Sequence, residues 1–395
     1  MRVSSAVLCL IGAASAFLFH FPAQAQSGSR VCEIPDEITS SITLRADCIY
    51  EAPLSLRTSG VTLDCAGAVI DASNANVGIL IHGRSLHDIT VKNCNVEGAK
   101  NEGILIRPPM GANELAELPV PDRYLIAAKD ILIESSTVTN SGNVGIYVGH
   151  YSQNTKIRDS TVAGSGGPAV YLDASSVQTT IQANEFTANG FGGRAADAKK
   201  RDREAIAIDS SSHNSIINNV FRQNSAGGIF IYKNCWERHR DPKQAPRWMH
   251  SSFNLIQGNQ FEEKVGVWIA SRQAKNQANM DCGDPPIAPG YFRDYAEHNS
   301  VVANLFRGGD TGLNVQDDLT TIENNVFSGQ KGACVILGAE MRDALLGAPI
   351  DKTSLAGNKC SKGLGGGYVT KGTSSFWKCS DNLIDDVPFA CQKPR

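Results

Sequence analysis

The chain has 395 residues, with 37 Lys and Arg against 40 Asp and Glu, for a formal charge of −3. Near neutrality over this length gives no sign of a nucleic-acid-binding surface, although it leaves room for a local basic cleft. Apart from one N-terminal run, no stretch approaches the roughly 18 consecutive apolar residues that a membrane-spanning helix needs.

That run reads as a signal peptide over residues 1–25. Arg2 is its sole charged residue, an apolar segment extends from Ala6 to Phe21, and Ala23-Gln24-Ala25 forms a small-residue cleavage site before Gln26. The mature chain is expected to be periplasmic or secreted, and free of the membrane once the leader is gone. Of the 11 cysteines only Cys9 falls in the leader, and the even number left predicts disulfides in an exported protein. Pairing sequence neighbours gives Cys32–Cys48, Cys65–Cys94, Cys235–Cys282, Cys334–Cys360 and Cys379–Cys391. None has the C-x-x-C spacing of a zinc site.

Beyond the leader the chain repeats itself. A short small–apolar–x–apolar–x strand appears as Gly78-Ile79-Leu80-Ile81-His82 and returns at 103–107, 145–149, 169–173, 205–209, 228–232, 266–270 and 312–316, with a weaker copy at 333–337. A second element centres on a small or amide residue: Cys94, Ser136, Ser160, Asn184, Asn219, Asn259, Asn304, Asn325 and Asn358. Two residues later comes Val96, Val138, Val162, Phe186, Phe221, Phe261, Phe306 or Phe327. The shortest spacings, from Ser136 to Ser160 to Asn184 and from Asn304 to Asn325, are too short for a strand–helix–strand unit of about 30 residues. Such coils bury their apolar faces only by stacking, so the reading is an all-β parallel β-helix with equivalent residues about 4.8 Å apart. The Asn series becomes a hydrogen-bonded ladder and the Phe series a core stack, both structural.

With its opening coil Gly60-Val61-Thr62-Leu63-Asp64-Cys65-Ala66-Gly67-Ala68-Val69-Ile70-Asp71, the chain resembles the right-handed parallel β-helix, or pectin-lyase-like, superfamily. The resemblance implies a solenoid over 26–360, with 361–395 as its C-terminal cap. It leaves activity open, because lyases, hydrolases, epimerases and non-enzymatic proteins share this fold.

Extra residues interrupt the repeat at about 107–128, 190–203, 233–252, 271–297 and 338–352, all flanking the same strand series, so they are expected to wall a groove along one sheet. The 233–252 insertion is basic and aromatic, with Trp236, Glu237 and His239 as candidate substrate contacts; a Cys235–Cys282 bridge would tie it to the next insertion. Period-two alternation places Tyr147, Tyr171, Phe230 and Trp268 outward, where aromatic planes can stack on sugar rings. The plainer alternative is a secondary core beneath the insertions. Tyr232 and Glu204 complete the candidate substrate contacts.

Asp173 and Asp209 occupy equivalent positions in consecutive coils. Carboxylates so close repel unless a cation intervenes. They fit a retaining-hydrolase pair, a calcium site, a sugar-hydroxyl site or simple turn caps. Lys233 and Arg272 each open an insertion, and suit β-elimination on a uronic-acid polymer, Lys233 as base and Arg272 as carboxylate clamp. This resembles β-helix polysaccharide lyases that place a Lys and an Arg on neighbouring coils. His150 and Tyr151 are alternative acid or base groups. The favoured reading is a lyase on an acidic polysaccharide, with calcium as a conceivable cofactor. The alternatives are a hydrolase using Asp173 and Asp209, a C5-epimerase, and a non-catalytic carbohydrate-binding β-helix.

Overall fold

The computed structural model describes residues 30–107, 110–192, 202–234, 247–270, 296–347, 349–361 and 366–391. The expected signal peptide, Cys235, Trp236, Glu237, His239, Arg272 and Cys282 lie outside these residues.

Short strands stack into three long sheets of 14, 12 and 12 strands, and each sheet takes every third strand of the chain. Within the described residues every pairing is parallel except the closing hairpin of Asn382–Ile384 with Val387–Phe389. The chain is therefore a parallel β-helix. The segment expected to cap it adds Tyr368–Thr370, Lys378–Ser380 and Asn382–Ile384 to the three sheets before that hairpin ends the stack.

Alternation generates the core. In the second sheet Ile79, Ile104, Ile146, Val170, Ile206, Ile229, Val267 and Leu313 stack inward in register and are all fully buried. The small residue that opens each of these strands sits at a tight corner. A Cβ on Gly266 would come within 2.4 Å of Phe306 and 2.6 Å of the Gly312 carbonyl oxygen, so no larger side chain fits.

Both predicted ladders form. Phe221, Phe261, Phe306 and Phe327 stack nearly parallel, with centroids 4.7, 4.8 and 4.7 Å apart. From Asn184 to Asn358 each amide Nδ2 donates to the next coil's Oδ1 at 3.0 Å, and the series runs on to Asn382. Two further ladders are present: Asn214–Asn254–Asn299, and Asn189–Asn224, which ends on the Glu263 carboxylate. Four of the five expected disulfides form, Cys32–Cys48, Cys65–Cys94, Cys334–Cys360 and Cys379–Cys391; the fifth falls outside the described residues.

Two insertions carry short helices that the strand repeat did not foretell: α1 (Ala112–Glu117) and α2 (Val120–Ile126) in the first, and α3 (Glu340–Leu346) in the last. α3 is held by Arg342, whose guanidinium reaches Asp317 at 3.3 Å in a buried pair. No helix among the described residues is long and apolar enough to cross a membrane.

Candidate active site

The outward row of the second sheet runs in register through Leu80, Leu105, Tyr147, Tyr171, Ala207, Phe230, Trp268 and Asn314, as alternation predicts. Tyr147 and Tyr171 lie face to face, centroids 5.5 Å apart and planes 2° apart. Phe230 and Trp268 meet edge to face at 5.1 Å. Between these pairs the row is closed. Tyr232 lies over Ala207 and Ala270 and packs with Tyr171, Phe230 and Trp268 in a small outer core. Its hydroxyl donates to Glu204 at 2.8 Å, and Arg203 holds both Glu204 oxygens at 3.2 and 2.9 Å. Glu204 and Tyr232 are thus buried wall residues, and the plainer expectation of a secondary core holds for this stretch of the row.

Leu172 pairs with Ile208, so Asp173 and Asp209 follow in adjacent coils at equivalent places. Both are fully buried. The cation between them is Arg247, at the end of the 233–252 insertion. Its Nη1 lies 2.7 Å from Asp173 Oδ1 and bridges to Asp209 Oδ2. Each carboxylate also receives a tyrosine hydroxyl from the coil before it, Asp173 from Tyr147 and Asp209 from Tyr171, the latter at 2.5 Å. Asn234 closes on Asp209 through its backbone N–H at 2.7 Å and its Nδ2 at 2.9 Å. The turn-capping expectation also holds in part, since Asp173 Oδ1 accepts the Ala174 N–H at 2.8 Å.

This arrangement changes what the two carboxylates can do. Burial pushes Asp173 up, but the Arg247 guanidinium, His150 and the Tyr147 hydroxyl outweigh it and hold its carboxyl below the usual value. An Asp173 carboxyl held toward its ionised form and cut off from solvent is poorly placed to act as the general acid of a hydrolase pair. The guanidinium stands where a bridging cation would, and the described residues hold no cluster of three His, Cys, Asp or Glu suited to a metal.

His150 sits one residue past the strand Ile146–Val148 and its following Gly149. Its buried Nδ1 lies 3.2 Å from Asp173 Oδ2, the oxygen that also accepts from Tyr147. The side chain is 15% exposed, and the Ala174 backbone is a further hydrogen-bonding neighbour of the ring. Burial lowers the imidazole pKa, Asp173 opposes this and Arg247 adds to it, so the ring is neutral at pH 7. Burial and the adjacent carboxylates raise the hydroxyl pKa values of Tyr147 and Tyr171 well above 10, so both keep their protons. Arg247 is also 15% exposed.

Lys233, expected as a desolvated base, is fully buried and engaged. It lies beyond the strand end, where alternation no longer fixes which way a side chain points. Sequence reasoning anticipated Asp173, Asp209, Tyr147, Tyr171 and His150. It did not single out Arg247, although the demand for a cation between aligned carboxylates was a signal for it.

A family model described as "right handed beta helix region" matches residues 124–282. The fold is the right-handed parallel β-helix. Gene product 12 of bacteriophage phi29 is similar over 87% of this chain and 46% of its own, at 12% identity and a TM-score of 0.54, so this chain spans under half of that protein. An alginate lyase from Paenibacillus covers 73% of this chain and 89% of its own, at 11% identity and a TM-score of 0.44. The A-module of an Azotobacter vinelandii mannuronan C-5 epimerase covers 89% and 84%, at 14% identity and a TM-score of 0.45. At these identities the likeness is one of fold. No curated protein sequence matches the chain.

Proposed function

We propose that this protein is an exported polysaccharide-processing enzyme that cleaves a uronate-containing polymer by β-elimination, with His150 as base and Tyr147 as acid. The observation that carries the reading is the division of labour at Asp173. The carboxylate is dry and ionised, while the two proton-carrying groups it holds, His150 and Tyr147, share one of its oxygens.

In the proposed step, His150 Nε2 takes the C5 proton. The C5–H electron pair forms the C4–C5 double bond, the C4–O4 bond breaks, and O4 takes the Tyr147 hydroxyl proton. The contact of Nδ1 with Asp173 strengthens as the ring becomes imidazolium, and Asp173 Oδ2 gives the proton a short path back to Tyr147. The partly exposed guanidinium of Arg247 suits the substrate's C6 carboxylate, whose charge must be neutralised for C5 to lose a proton. The parallel rings of Tyr147 and Tyr171 offer a surface beside the reacting sugar. This reading moves the base from Lys233 to His150 and the clamp from Arg272 to Arg247. The four disulfides and the N-terminal leader pattern support export.

Purified protein incubated with acidic and neutral polysaccharides tests the proposal. Elimination yields an ultraviolet-absorbing unsaturated uronate, and His150→Gln abolishes it while leaving the fold intact. New reducing ends without that absorbance mean hydrolysis, and deuterium uptake at C5 without scission means epimerisation; either result overturns elimination.

A further inference from the structure

The 107–128 insertion contains a buried cation that the chemistry above does not use. Arg123 on α2 is 5% exposed, and no carboxylate pairs with it among the described residues. Its guanidinium is spent on neutral acceptors. Nε donates to the Leu118 carbonyl at 2.8 Å, Nη2 to the Ala116 carbonyl at 2.9 Å, and Nη1 to the Tyr151 hydroxyl at 2.7 Å. The same guanidinium stands 5.5 Å from the centroid of the Tyr151 ring, and Tyr124 packs edge-on against that ring at 5.1 Å. Tyr151 directly follows His150, is 3% exposed, and has φ of 60°. Left-handed backbone is costly for a bulky residue and persists where its surroundings hold it. In the next coil the matching turn position is Ser175, also left-handed at φ 61°. The turn shape is thus common to the coils, and the clamped aromatic is peculiar to the one that carries His150.

We infer that Arg123 is a positioning residue: by fixing the Tyr151 ring it sets the turn that aims His150 Nδ1 at Asp173, making the first insertion part of the active-site framework. The inference rests on the proposed role of His150. The fork geometry explains why arginine stands here, since Nε, Nη1 and Nη2 each donate to a different acceptor, which a guanidinium's spread donors allow. A buried charge satisfied only by carbonyls and a phenol is costly to maintain. That cost is hard to account for if the insertion merely covers the sheet.

The test reads His150 directly. In protein labelled with 15N-histidine, the His150 ring resonances are assigned by their loss in His150→Gln. Wild type is expected to show a single tautomer with the proton on Nδ1. Tyr151→Phe, which removes only the hydroxyl that Arg123 holds, and Arg123→Met are expected to give a mixture of tautomers. They should also lower kcat about tenfold with KM within about twofold, as misaimed catalytic groups do. Ser85→Ala loosens the same insertion at the Leu125 carbonyl and should leave the tautomer unchanged. If Arg123→Met fails to fold, Tyr151→Phe decides alone. An unchanged tautomer in folded Tyr151→Phe overturns the inference. A tautomer shift in a protein whose wild type turns over no polysaccharide removes the elimination reading and leaves the positioning of His150 supported.

Discussion

Glu263 ends the Asn189–Asn224 ladder as a buried carboxylate with no basic partner among the described residues, and replacing it should stabilise the protein above neutral pH. It is 4% exposed and accepts the Asn224 backbone N–H at 3.0 Å and its Nδ2 at 2.6 Å. Burial raises its pKa from 4.5 to about 7; the Asn224 hydrogen bonds pull the other way, and neighbouring Glu262 adds to the rise. The folded state therefore binds this proton more tightly than the unfolded chain does. The resulting stability is complete below about pH 4.5 and is lost as pH rises through about 7. The gap is worth about 3 kcal/mol. Glu263→Gln keeps an acceptor for Asn224 and cannot ionise, so its advantage over wild type should be small at pH 5 and grow to about 2–3 kcal/mol at pH 8.5. Chemical denaturation at the two pH values measures the difference, and hydrogen exchange at the Asn224 amide reports it locally. A variant that is less stable at pH 8.5, or offset equally at both, would refute the reasoning.

Three other outcomes are expected. Arg247→Ala leaves Asp173 and Asp209 buried without a counter-charge and should cost about 3–5 kcal/mol in denaturant melts, with Asp209→Asn in the same chain recovering part of the loss. Asp173→Asn spares the Asp209–Arg247 pair but turns an amide N–H toward Tyr147 and His150, favouring the wrong imidazole tautomer. Turnover should fall about 10³–10⁴-fold with little loss of stability, and the acid limb of the wild-type kcat/KM profile should lie at lower pH than an ordinary imidazole would give, because burial lowers the His150 pKa. Phe261→Ala opens the aromatic stack on both sides and should cost about 3–5 kcal/mol by denaturation, without altering the His150 signals.

What could be read from the sequence followed the period. In a solenoid each residue's neighbour in space lies one coil away in the chain, so spacing converts directly into contact. That is why the Phe stack, the main Asn ladder, four disulfides and the alignment of Asp173 with Asp209 were all foreseeable. Alternation gives the side a residue faces, but not what covers it there. Tyr232 faces outward and is buried because its ring lies over Ala207, where the small side chain leaves room. Lys233 is one residue beyond the strand, past the reach of the alternation rule. Arg247 and Arg123 come from insertions that have no repeat, so the places where they return to the sheet had no counterpart elsewhere in the sequence.

The roles of Asp173 and His150 follow from where water reaches. A retaining hydrolase needs one carboxyl that attacks and another that holds a proton near neutral pH, both in contact with substrate. Here the two carboxylates share one guanidinium, each accepts a tyrosine hydroxyl, and neither is exposed. The groups that reach solvent are the His150 imidazole, shifted toward its neutral form, and the Arg247 guanidinium, which the proposed reaction uses as base and anion site. A base beside an anion site, with the carboxylates withdrawn behind them, suits removal of a proton next to a carboxylate better than displacement at an anomeric carbon. In the proposed reaction the aligned aspartates are the framework that holds His150, Tyr147 and Arg247 around one sugar, and the solenoid's fixed coil spacing keeps that framework rigid.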